Sequence, residues 1–222
     1  MIYALDPKTE RKIKASPGKE GLCPLCRRPL LPHCGEILAW HWKHQPHEAC
    51  DPWSEGETLW HSRWKSLFPP DCVEVPFERR GEIHIADVHL PAGQTIELQH
   101  SSISPEVIRE REKFYGPKLT WVFDVTEAFQ GERFILWDQG SHWTFRWKHP
   151  RKTISAVKRR CFFDLGDLDL EKERGNWWKP DDIGHYLFEK RTIYFDETCR
   201  GSGRIFALNP FLDVFDIPSP PP

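Results

Sequence analysis

The run Ile83-His84-Ile85-Ala86-Asp87-Val88-His89-Leu90, the break Pro91-Ala92-Gly93-Gln94 and the run Thr95-Ile96-Glu97-Leu98-Gln99 decide how this chain is read. Apolar positions and the intervening Pro and Gly predict two strands, over 83–90 and 95–99, joined by a turn. If the strands are antiparallel neighbours, Glu97 and Gln99 share a face, because strand side chains repeat every second residue, and Asp87 can reach that face. Two carboxylates on one sheet edge offer hard oxygen donors suited to Mg²⁺ or Mn²⁺. An ion held there could activate water and stabilise charge on a phosphate. Acidic residues also line ordinary solvent-facing strand edges. Two details favour a site: Asp87 interrupts an otherwise apolar stretch, and His100-Ser101-Ser102 puts polar groups at a strand end, where sites on α/β sheets are commonly built.

Outward from this hairpin the chain alternates helix and strand. A helix is predicted over 54–68, with Ser54 as cap and Glu57 completing a capping box. Leu59, Trp60, Trp64, Leu67 and Phe68 recur at helical spacing, and Pro69-Pro70 ends the run. A strand over 73–77 follows. After the hairpin, Ser104-Pro105-Glu106 opens a second helix reaching about Tyr115, Gly116-Pro117 closes it, and residues 119–125 form a buried apolar strand. The order helix, three strands, helix, strand is a three-layer α/β plan. Glu57, His61 and Lys65 fall roughly along one face of the first helix. Glu57 could complete the metal site or orient His61, against the alternative of a capping glutamate on a solvated face. Glu74 is a further candidate metal neighbour.

Upstream, Cys23-Pro24-Leu25-Cys26 is a CxxC turn, followed by His41-Trp42-Lys43-His44. Two thiolates and two imidazoles make a closed tetrahedral Zn²⁺ shell, so a structural zinc held by Cys23, Cys26, His41 and His44 is expected. His33, Cys34, His47 and Cys50 lie in the same stretch and could replace the histidine pair. Lys43, Arg27 and Arg28 could add phosphate contacts beside the metal.

Several of these segments carry a resemblance. Ile85-Ala86-Asp87-Val88, the run Ile96-Glu97-Leu98-Gln99-His100-Ser101-Ser102-Ile103-Ser104 and Arg109-Glu110-Arg111-Glu112-Lys113-Phe114-Tyr115 resemble the competence protein CoiA-like family. Its nuclease domain belongs to the PD-(D/E)XK, restriction-endonuclease-like class. The similarity runs from roughly residue 1 to 125. It extends to the acidic, His and Lys positions of the first helix and to the Cys-Pro-x-Cys and His-aromatic-x-His segments. The resemblance implies that Asp87 and Glu97 bind the catalytic metal and that Gln99 stands where many nucleases of the class place a lysine. Glutamine can orient water but carries no charge. Lys65 and Arg111 are the candidate replacements for that cation.

The expected architecture is therefore α/β: a restriction-endonuclease-like three-layer core with a mixed central sheet, an N-terminal zinc-binding module and a β-rich C-terminal region. The expected divisions are 1–52, 53–125 and 126–222. The first stretch should hold a short hairpin from residues 2–5 and 11–15. Beyond residue 126, short strands are expected at 134–137, 143–147, 161–165, 186–188 and 192–195, a loop or short helix over 166–184, and a loose Pro-rich tail. On the strand at 143–147, Trp143, Phe145 and Trp147 face one way and Arg146 the other, with Lys148 following. Arg146, Lys148, Lys43, Ser101 and Arg111 are the candidate nucleic-acid contacts.

The chain has 222 residues, 20 prolines, 11 tryptophans and a formal net charge of −2, so any nucleic-acid contact must be local. Seven cysteines, no long apolar run and no signal-like N-terminus predict a reduced, cytoplasmic protein with no membrane partner. Two functions fit. One is a metal-dependent nuclease acting on nucleic acid, DNA first, in uptake, recombination or mobile-element conflict. The other is a catalytically weak module on a nuclease scaffold that grips nucleic acid or a recombination protein. A homodimer is compatible with either.

Overall fold

The computed structural model describes residues 1–35, 39–45, 50–53, 56–169, 183–195 and 199–217. The chain divides into two units, Met1–Glu97 and Leu98–Pro222.

The first unit opens with the expected hairpin, β1 (Tyr3–Leu5) and β2 (Lys12–Lys14). Asp6 Oδ1 accepts from the Lys8 and Thr9 amides at 2.9 and 2.8 Å, an Asx-type turn that fixes the reversal. Strands β3 (Gly21–Leu22), β4 (Pro29–His33) and β5 (His41–Lys43) complete a five-stranded sheet in the order β2-β1-β3-β4-β5. Its small core is Ala4, Ala15, Cys23, Leu30 and Trp42. Gly21 is required there: a Cβ would stand 2.7 Å from Ala4 Cβ and 2.9 Å from the Trp42 ring.

Helix α1 (Leu59–Ser66) is shorter than the span expected over 54–68. Ser54 lies outside the described residues. Thr58 does the capping instead, its Oγ1 accepting from the His61 amide at 3.2 Å, and this leaves Glu57 ahead of the helix. A 3₁₀ turn, Pro70–Cys72, leads into β6 (Val73–Arg79), then β7 (Glu82–His89) and β8 (Thr95–Gln99). The deciding hairpin forms as expected. The Gly93 amide donates to Leu90 O at 2.8 Å, Leu90 N–H donates to Gln94 O at 2.9 Å, and Gly93 has φ +84°, which a side chain would resist. Strands β6, β7 and β8 are antiparallel neighbours.

In the second unit, α2 (Pro105–Tyr115) starts where expected, with Ser104 Oγ accepting from the Val107 amide and Gly116 as C-cap at φ +83°. Strand β9 (Leu119–Asp124) is buried throughout, and α3 (Thr126–Gln130) follows it. Strands β10 (Phe134–Asp138) and β11 (Trp143–Trp147) form where short strands were expected, and the structure pairs them antiparallel. Strand β12 (Arg160–Asp169) pairs parallel with β9 and antiparallel with β13 (Ile183–Phe195). Strand β14 (Cys199–Ala207) and α4 (Leu208–Asp213) end the described chain. The loop or helix expected over 166–184 is corrected at both ends, where β12 and β13 extend into it; residues 170–182 lie outside the described set. The two strands expected at 186–188 and 192–195 are one, interrupted by a bulge between Lys190 and Thr192. The tail from residue 218 also lies outside the described set.

The architecture is thus α/β with few helices and a large mixed sheet. Within the first unit β8, β7 and β6 are neighbours in that order, and within the second the order is β10-β11-β14-β13-β12-β9. Phe134, Phe145, Phe163 and Phe188 interlock in the second unit, with ring centroids 4.9–6.4 Å apart in the stacked and edge-on arrangements that aromatic quadrupoles favour. Glu112 on α2 is buried and its Oε1 accepts from the Lys158 and Arg159 amides at 2.8 and 3.0 Å, which explains an acidic residue in that core. Among the described residues no helix is long and apolar enough to cross a membrane.

Candidate functional site

Register alone assembles the first group. Val73 pairs with Val88 and Val75 with Ala86, so Glu74 stands opposite Asp87. Val88 pairs with Ile96 and His89 with Thr95, so Asp87 stands opposite Glu97. Three carboxylates therefore form one row across β6, β7 and β8. The face is confirmed one pair along, where His89 Nδ1 lies 3.0 Å from Thr95 Oγ1. Like charges directly opposite repel, so a row of three needs a cation.

Lys65 supplies one. Its Nζ lies 2.9 Å from Glu74 Oε1, 2.9 Å from Glu57 Oε2 and 3.3 Å from Asp87 Oδ1. The α-ammonium of Met1 adds longer contacts, 3.4 Å to Glu57 Oε2 and 3.9 Å to Glu74 Oε1. Burial opposes charge on Lys65, but the fields of Glu74, Glu57 and Asp87 outweigh it and hold its pKa well above the usual lysine value. Burial likewise opposes charge on Glu74, and Lys65 and the α-ammonium reverse the effect, so its pKa is lowered.

The carboxylates differ in how fully they are used. Glu74 is committed: both oxygens also accept backbone amides, from Ile2 and Tyr3 at 2.8 Å each, and its backbone sits at φ +52°. Glu97 is buried, and its Oε1 accepts from the Asp87 amide at 3.4 Å. Glu57 has one buried oxygen, Oε1, with no hydrogen-bond partner. Asp87 is the member that meets solvent, with 22% of its side chain exposed. These are hard oxygen donors with one unsatisfied acceptor and an opening at Asp87, but their oxygens are not among the ligand clusters that converge in the described residues. The oxygens have not closed into a metal shell, because Lys65 Nζ lies among them.

His61 is buried on α1 beside Trp60, and its Nδ1 is 2.9 Å from Thr58 Oγ1, so its described contacts belong to the helix start. Gln99 belongs to the second unit. It is fully buried, and its Nε2 donates to Ser101 O at 3.0 Å. Ser101 is exposed, Arg111 is buried within the second unit, and Arg146, Lys148 and Lys43 are exposed. Of the two cations offered to replace a lysine at position 99, Lys65 lies in the first unit with Asp87 and contacts it at 3.3 Å.

The second group is the cysteine–histidine cluster. Cys23, Cys26, His44 and Cys50 bring one ligand atom each to within 4.8 Å of one another. Cys23 Sγ is 3.6 Å from Cys50 Sγ, and His44 Nε2 is 3.3 Å from Cys50 Sγ and 4.0 Å from Cys26 Sγ. Metal–sulfur bonds of about 2.3 Å and metal–nitrogen bonds of about 2.0 Å at tetrahedral angles require edges close to these. The turn between β3 and β4 aims both CxxC sulfurs inward, with the Leu25 amide donating to Cys23 Sγ at 3.4 Å. Burial raises the thiol pKa of Cys23 and Cys50, the cost that a bound cation offsets.

This cluster could bind a metal such as zinc, and Cys50 replaces His41 in the expected ligand set. The reason is strand alternation. Trp42 points into the core, so His41 and Lys43 point away from it, and His41 Nδ1 lies 2.8 Å from Ala39 O with its ring stacked on His33. His44 follows the strand end and is released from that alternation. Cys50 was among the alternatives the sequence left open; His47 lies outside the described residues.

Asp51, next to Cys50, escaped notice in the sequence. It is buried, its Oδ1 is 2.9 Å from His84 Nδ1, and its Oδ2 accepts from the Ile85 amide at 2.7 Å. It thereby ties the cysteine segment to β7, two residues from Asp87. No protein-family model matches this chain, and no curated protein or solved structure matches it either.

Proposed function

We propose that the first unit is the centre of a metal-dependent nuclease on a restriction-endonuclease-like scaffold of the CoiA type, hydrolysing phosphodiester bonds in DNA. The observation that carries this reading is the cross-strand row Glu74–Asp87–Glu97 with Lys65 Nζ among its oxygens. Asp87 and Glu97 would hold Mg²⁺ or Mn²⁺, with Glu57 Oε1 as a reserve acceptor. The bound ion would supply a more acidic water and a counter-charge for the phosphate. Lys65 brings from the helix the positive charge that Gln99 lacks, and Glu57 and Glu74 fix its ammonium in place. The Cys23–Cys26–His44–Cys50 cluster would be structural, since four protein ligands leave no open position. The resemblance points to DNA uptake, recombination or mobile-element conflict as the setting.

The test is cleavage of supercoiled plasmid, single-stranded DNA and RNA with Mg²⁺ or Mn²⁺, by the wild type and by Asp87→Ala. Cleavage abolished by the substitution supports the nuclease. Absence of cleavage by folded wild type on all three refutes it.

A second reading has its own observation. Lys65 already neutralises much of the row, as it would in a scaffold that no longer takes a metal. Such a protein would bind nucleic acid or a recombination protein without cutting, and the same assay separates the two.

A further inference from the structure

A different surface, wholly within the second unit, has an organisation that the proposed nuclease does not use. Strands β10, β11, β14 and β13 are consecutive neighbours, and their registers define two cross-strand rows on one face. One row reads Ile135, Arg146, Arg200, Tyr194. The next reads Trp137, Thr144, Ser202, Thr192. The opposite face carries Phe134, Trp147 and Phe145, all buried, and Gly201 has no side chain because the Phe145 ring would lie 2.6 Å from its Cβ. The sheet is therefore an apolar core on one side and a patterned surface on the other.

That surface is concave. A groove of about 780 Å³ is lined by Trp137, Arg146, Tyr194, Arg200 and the hydroxyl residues between them. The same face is treated differently at its other end. There Phe162 is covered by Phe211 of α4, with ring centroids 4.9 Å apart, as apolar residues on a sheet ordinarily are. At the groove end, Trp137 remains 44% and Tyr194 57% exposed. Two large rings left in water are costly for folding alone, and two guanidinium groups stand on directly opposed positions between them. Thr192 Oγ1 and Ser202 Oγ lie 2.8 Å apart and add a hydroxyl row.

We infer that this groove binds single-stranded nucleic acid, with bases stacked on Trp137 and Tyr194 and phosphates on Arg146 and Arg200. An aromatic face accepts any unstacked base, a guanidinium fork pairs with phosphate oxygens, and hydroxyls can donate to either. Trp137 and Tyr194 stand three strands apart, roughly 14 Å at sheet spacing, so the groove spans more than one nucleotide. A duplex keeps its bases stacked on each other and offers the rings nothing, so the groove discriminates against it. The inference does not depend on the proposed nuclease, because none of its residues belongs to the carboxylate row.

The experiment is fluorescence anisotropy with the full chain and labelled oligo-dT, oligo-rU and a DNA duplex of equal length. No Mg²⁺ or Mn²⁺ is added, so cleavage plays no part. The wild type should bind at least one single strand more tightly than the duplex. Trp137→Ala and Tyr194→Ala should each weaken that binding by roughly tenfold, as loss of one stacked base does. Tyr194→Phe should retain it, which separates ring from hydroxyl. Arg146→Glu with Arg200→Glu should weaken it further and flatten its salt dependence. Circular dichroism checks each variant's fold; because both rings are exposed, their replacement leaves the core intact. Absence of single-strand binding by folded wild type, undiminished binding by both alanine variants, or equal affinity for the duplex would each overturn the assignment.

Discussion

Glu74 and Asp87 face each other across β6 and β7, and a single ammonium, Lys65 Nζ, contacts both, at 2.9 and 3.3 Å. Lys65 is 5% exposed at its side chain, and Glu74 and Glu57 are as deeply buried, so water does little to screen the group. Removing one partner from such a cluster leaves buried charge uncompensated.

Lys65→Met should therefore destabilise the protein by ~3–5 kcal/mol in urea unfolding, far more than the loss of a surface lysine. Millimolar Mn²⁺ should restore part of the loss, because the freed carboxylates would then bind the divalent ion. A loss below ~1 kcal/mol would mean that the row does not need this cation.

Asp87→Asn should have the opposite balance. Asp87 is the exposed middle member of the row and makes the longest of the three Lys65 contacts, so neutralising it relieves repulsion from Glu97 and Glu74 on either side at small cost. Thermal unfolding should stay level or move upward while metal-dependent cleavage falls at least a hundredfold. Retained cleavage would remove Asp87 from the catalytic set.

The row also shows what the sequence could and could not reveal. Pro91-Ala92-Gly93-Gln94 announced a turn, and turn chemistry plus alternation sufficed to place Asp87 and Glu97 on one face. Glu74 received less weight because a lone acidic residue on a strand says nothing about its partners; its role depends on Ile2, Tyr3 and Lys65, all distant in sequence. Cys50 was visible as a ligand type, but choosing it over His41 required knowing which way Trp42 points. Tyr194 was hidden for a similar reason: its neighbour Arg200 belongs to a strand the reading did not anticipate. Local signals fix elements, whereas these sites are made by cross-strand neighbours.

Metal content provides an independent check on the cysteine cluster. The purified protein should carry about one equivalent of zinc by plasma mass spectrometry, the load expected of one closed tetrahedral site. Cys50→Ser should lose most of it, and His41→Gln should keep it, because His41 lies outside the group of four. Chelation of the wild type should lower its melting temperature, since metal binding and folding are linked. Zinc lost from His41→Gln but kept by Cys50→Ser would reverse the ligand assignment.

A half-buried histidine in the second unit gives a pH signature separate from both sites. His185 Nε2 lies 2.8 Å from Asp164 Oδ1, and Nδ1 lies 3.4 Å from Asp167 Oδ1. Burial disfavours the imidazolium, but the hydrogen bond and charge of Asp164, with Asp167 behind it, overcome this and raise the pKa above the ordinary 6.5. A raised folded-state pKa means that the folded protein holds the proton more tightly than the unfolded chain. The stabilisation is complete below the unfolded value and disappears as pH climbs through the higher folded one. The melting-temperature gap between wild type and His185→Gln should therefore be widest below the ordinary histidine pKa and narrow as pH rises above it, since glutamine keeps the hydrogen bond but not the charge. A gap that widened with rising pH would mean that burial wins over Asp164 and that the histidine is neutral in the fold.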